Sequence, residues 1–85
     1  MDENLEEIVK IAWKAAPGNT EYHLTRYISQ VTTQLAKTRD SMNDYEEEHL
    51  DYETELYYLG LAQKEKNLEK KINRLNRLVL SLRGN

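Results

Sequence analysis

"KNLEKKINRLNRLVLSLR", residues 66–83, decides the fold class of this chain. Leu68, Ile72, Leu75, Val79 and Leu82 recur at spacings of three and four, which places them on one face of an α-helix. Lys66, Lys70, Arg74 and Arg77 take the opposite side, near Asn73 and Asn76. Apolar–polar alternation, the mark of a half-buried strand, is absent here and along the rest of the chain, so the sequence predicts an all-α protein.

Upstream, "YEEEHLDYETELYYLG" at 45–60 continues the same helix and carries two apolar stripes. Tyr45, Tyr52, Leu56 and Leu59 form one, with His49 among them; Leu50, Tyr57 and Leu61 form the other. Residues 52 and 68 are sixteen positions apart at about 100° each, which leaves them roughly 160° apart around the axis. The Leu68–Leu82 stripe therefore extends the Leu50/Tyr57/Leu61 side. A long C-terminal helix is predicted over about 45–83, covered on both sides in its first half and on one side in its second.

Two shorter helices precede it. Residues 3–16 pair Leu5, Ile8, Val9 and Ala12 on one face with early glutamates and late lysines, matching the charge preference of the helix dipole. Pro17-Gly18 ends this helix. A second helix over 20–41, capped by Asn19 or Thr20, presents Leu24, Ile28, Val31, Leu35 and Met42. Ser41, Asn43 and Asp44 favour a turn at 42–44, and the alternative is one continuous helix from 20 to 83. The expected architecture is a single domain, residues 1–85, built as a bundle of about three helices with coiled-coil-like association.

Eighty-five residues bury a marginal core, so help from association is expected. If the first two helices cover the Tyr52/Leu56/Leu59 stripe, then Leu50, Tyr57, Leu61, Leu68, Ile72, Leu75, Val79 and Leu82 need a partner from outside, with Tyr58 a further contact residue. Charge suggests the orientation. The net −3 divides into five Lys/Arg against thirteen Asp/Glu over residues 1–63 and seven against two over 64–85. Antiparallel pairing of two long helices about Gly60 sets acid against base twice, whereas parallel pairing stacks like charges. Gly60 permits close approach at such a crossing.

Chemical motifs are sparse. Glu46-x-x-His49 has the spacing by which ferritin-like di-iron bundles aim two ligands inward, but four residues of a Glu-rich helix support only a distant third reading, a di-metal carboxylate site completed on oligomerisation. A row of carboxylates imitating phosphate is disfavoured by the basic end. The basic face of residues 64–83, with Lys66, Lys70, Lys71, Arg74 and Arg77 as possible contacts, makes an RNA- or DNA-binding regulator the second reading. With two histidines, no Gly-rich phosphate loop and no nucleophile elbow, the chain carries no enzyme signature, and no cofactor is expected. The acidic opening "MDENLEEIVK" does not resemble a signal peptide, cysteine is absent, and no apolar run is long enough to span a bilayer; these features lead to a cytoplasmic protein as the expectation. The leading reading is a non-enzymatic protein-interaction module, an adaptor or regulator that self-associates as an antiparallel homodimer or binds a heterologous helix.

Overall fold

The computed structural model of the chain describes residues 3–46 and 51–84. Among them are three helices and no strand: α1 (Glu3–Ala15), α2 (Pro17–Glu46) and α3 (Tyr52–Arg83). The all-α, three-helix expectation is met, with α3 the longest helix.

Between α1 and α2 only Ala16 leaves helical geometry. Its N–H still donates to the Ala12 carbonyl at 2.8 Å, and its own carbonyl accepts from the Thr20 N–H at 3.0 Å. Pro17 is the first residue of α2, where a missing N–H costs nothing and the fixed φ suits the helix. Proline alone ends α1; Gly18 has negative φ, lies inside the first turn of α2, and has nothing within 4 Å of where a Cβ would stand. Helix two thus begins ahead of Asn19 and Thr20, and Thr20 works differently from a cap: its hydroxyl donates to the Ala16 carbonyl at 2.8 Å.

The turn expected at 42–44 is absent, because α2 continues through it to Glu46. Ser41 and Met42 are half-buried, which extends the Leu35/Thr38 stripe, while Asn43 and Asp44 face solvent. Packing along that stripe overrides the weak turn preference of Ser, Asn and Asp. Tyr45 consequently belongs to α2, where its ring lies 5.1 Å from that of Tyr57 and ties α2 to α3 at the connected end of the hairpin. A fresh cap starts α3: the Asp51 carboxylate accepts from the Thr54 N–H at 2.8 Å and from the Thr54 hydroxyl at 2.7 Å. These bonds hold the Asp51 carboxyl below its ordinary pKa, the Thr54 hydroxyl contributing most.

α2 and α3 form a long antiparallel hairpin. Val31, Leu35 and Leu68 make one buried cluster with Ile72 against it, and Leu24, Leu78, Val79 and Leu82 make another. Leu75 and Val31 are the most completely enclosed large side chains. Ion pairs flank the seam: Arg39 reaches Glu65 at 3.0 Å and Glu69 at 2.5 Å, and Arg83 pairs with Glu21. Both glutamates, Glu65 first, raise the pKa of the Arg39 guanidinium. α1 folds back over the open end of the hairpin, resting Val9 and Trp13 on the second cluster, with Arg74 bonded to Glu6 at 3.3 Å.

This arrangement reverses the assignment of the two stripes. Leu68, Leu75, Val79 and Leu82 are buried, and Ile72 half-buried, against α2 of the same chain, so that stripe does have an intrachain partner. The unclothed stripe is the other one: Tyr52 is 75%, Leu56 50% and Leu59 57% exposed. The cause is length. α2 runs to Glu46 and matches α3 along most of its extent, so the longer continuous stripe wins the hairpin seam.

Candidate interaction surfaces

Three surfaces follow from this geometry. The first is the outer face of α3. Tyr52, Leu56 and Leu59 stand on it near the N-terminus, and Lys66, Lys70 and Arg77 continue the same side toward the C-terminus, all exposed. Glu53 and Glu55 occupy the first turn, where the helix dipole favours acid. One helix face is therefore apolar and acid-flanked at one end and basic at the other.

The second surface is a groove of about 490 Å³ between α1 and the hairpin. Leu5, Ile8, Val9 and Ala12 form its α1 wall, Thr20, His23, Leu24 and Tyr27 its α2 wall, and Leu75 its floor. Ile8 and Ile11 are 60% and 67% exposed, because α1 turns only its Val9/Trp13 edge onto the core and leaves the rest of its apolar arc open. Lys71 stands at the groove's end with its Nζ 5.0 Å from the centre of the Tyr27 ring, a cation–π contact.

The third surface continues beyond α1. A shallower depression of about 190 Å³ is lined by Gln34, Lys37, Thr38, Ser41, Tyr57, Leu61 and Lys64. Tyr57, Lys64 and Lys71 are spaced by seven on α3, as are Tyr27, Gln34 and Ser41 on α2, so the groove and the depression lie along one side of the hairpin.

The residues singled out by sequence divide among these places. Leu68, Ile72, Leu75, Val79 and Leu82 are core or core edge. Tyr57 is 54% exposed at the depression, Leu61 and Tyr58 are half-buried, and Leu50 lies outside the described residues. Of the five candidate phosphate contacts, Lys66, Lys70 and Arg77 share the outer face of α3, whereas Arg74 is engaged by Glu6 and Lys71 is turned to Tyr27. Glu46-x-x-His49 likewise falls outside the residues whose side chains are described, and among the described residues no group of three His, Asp or Glu is placed to hold a metal ion. No described helix is long and apolar enough to cross a membrane.

Sequence reasoning missed the α1 groove. The signal was present in the breadth of the apolar arc on α1, from Leu5 and Val9 round to Ile8 and Ile11, which is wider than a single contact with a hairpin can bury. No family model matches the chain, and neither a curated protein nor a solved structure matches it.

Proposed function

We propose that this chain is a non-enzymatic protein-interaction module that pairs with a second copy of itself, antiparallel, through the outer face of α3. The observation that carries this is the two-ended character of that face. Leu56 and Lys70 each lie seven residues from Gln63. Seven residues are close to two whole turns, so a two-fold axis at Gln63 brings Leu56 onto the stem of Lys70, twice. The glutamates of the first turn then lie beside lysines of the partner, which sets orientation more than affinity. The axis stands three residues from Gly60, at which nothing among the described residues requires glycine. A cytoplasmic location accords with the cysteine-free composition.

Cysteine scanning tests the pairing directly, since the natural chain has none. Mixed Leu56→Cys and Lys70→Cys proteins should cross-link to each other, and Gln63→Cys to itself. Sedimentation showing a monomer at high concentration, or Leu56→Cys joining chiefly to its own kind, would reject the antiparallel dimer.

A second reading rests on Lys66, Lys70 and Arg77, which are exposed together and make no ion pair with a described residue. Replacing the three with Gln should abolish affinity for a nucleic-acid duplex or single strand, if this face tracks phosphates, and that affinity should fall steeply with salt.

A further inference from the structure

We infer that the side of the hairpin left open beyond α1 is a docking site for an acidic amphipathic helix, which would complete there the three-helix packing that α1 begins. α1 has thirteen residues and α3 thirty-two, about 20 Å against about 48 Å, so α1 covers less than half of the hairpin. Its N-terminal end reaches Tyr27 and Lys71. From there to Tyr57 the same side continues for fourteen residues of α3, about 21 Å, with no third helix over it among the described residues.

The chemistry of that open length selects the occupant. In a chain of net charge −3, the described residues lining the groove and the depression include Lys37, Lys64 and Lys71 and no carboxylate. Lys37 and Lys64 make no ion pair with a described residue, unlike Arg39, Arg74 and Arg83, which are each held by a glutamate. Leu61 and Tyr57 flank these lysines toward the start of α3 and Tyr27 lies beyond Lys71, and they offer apolar contacts to a helix face. α1 illustrates what this side accepts: a helix with an apolar edge inward and a glutamate, Glu6, reaching to a cation of α3. The partner chemistry is therefore an apolar stripe flanked by Asp or Glu.

The site differs from the outer face of α3 used for self-pairing, and the two are separable. The probe is a synthetic helical peptide of about fourteen residues with leucines at i, i+3, i+4 and i+7 and glutamates at its flanks, compared with an isomer carrying lysines instead. It is titrated into ¹⁵N-labelled protein carrying Leu56→Glu, which abolishes the proposed dimer without touching this side. Saturable shifts should appear at the amides of Tyr27, Gln34, Lys37, Leu61 and Lys64. The glutamate peptide should bind at least about ten-fold more tightly than the lysine peptide, and high salt should narrow the gap. Lys37→Gln with Lys64→Gln should remove most of that preference, while an unchanged melting curve shows the fold intact. Equal binding of both peptides, shifts centred on Tyr52 and Lys70, or no saturable shift at millimolar peptide would each overturn the inference. So would a single-stranded oligonucleotide displacing the acidic peptide from these amides and binding there more tightly.

Discussion

Leu75→Ala separates a core role for the α3 stripe from an interface role. Leu75 is 0% exposed and Leu80, five residues along the same helix, is 66% exposed. Truncating a buried leucine forfeits about 2.4 kcal/mol of transfer free energy at about 0.8 per methylene, and incomplete collapse of the cavity brings the cost to roughly 2.5–5 kcal/mol. Leu75 floors an open groove, which lets its surroundings relax and favours the lower end, about 3 kcal/mol. A domain of this size has on the order of 4–13 kcal/mol in total, so the loss is a large share. In urea, with a slope of about 1–1.5 kcal/mol/M, the midpoint followed by far-ultraviolet circular dichroism should fall by about 2–3 M, and independently of protein concentration. Leu80→Ala should stay within about 0.5 kcal/mol of the parent. If the two variants lose similar stability, or if the Leu75→Ala loss vanishes at low protein concentration, the stripe is not an intrachain core and the reasoning fails.

Pro17→Ala should restore the N–H that the α1–α2 junction lacks and let the two helices run on as one, lifting Trp13 off the Leu78/Leu82 cluster. Trp13 is the sole tryptophan, so its emission should shift to the red while helicity is kept; an unchanged spectrum would mean that packing, not proline, sets the bend. Asp51→Ala should fray the start of α3, seen as faster amide exchange at Thr54 and Glu55. Because the Asp51 carboxyl is held below its ordinary value of 3.8, the cap's contribution is fully present above that pH and is lost as pH falls through the lowered value. Asp51→Ala should accordingly flatten the acid limb of an exchange-versus-pH profile; a limb unchanged in the variant would assign it to other carboxylates.

The helical class, the stop at Pro17 and the apolar stripes of α2 and α3 were legible in the chain alone. They depend on periodicity and on proline geometry, which act over a few residues. Leu24, Val31 and Leu35 recur at helical spacing and are buried; Leu68, Leu75, Val79 and Leu82 do so too, but against α2 and not against the outside partner that the sequence leads one to expect. What local pattern could not assign is which stripe meets which. That choice depended on α2 reaching Glu46, which extended the seam to Tyr45 and Tyr57 and left Tyr52, Leu56 and Leu59 outside. The pairing of Arg39 with Glu65 and Glu69, residues far apart in sequence, likewise required the hairpin register to exist first. A stripe states that a helix must be covered; only the lengths and directions of all three helices together decide what covers it, because burial is a property of the assembled surface and not of the segment that supplies it.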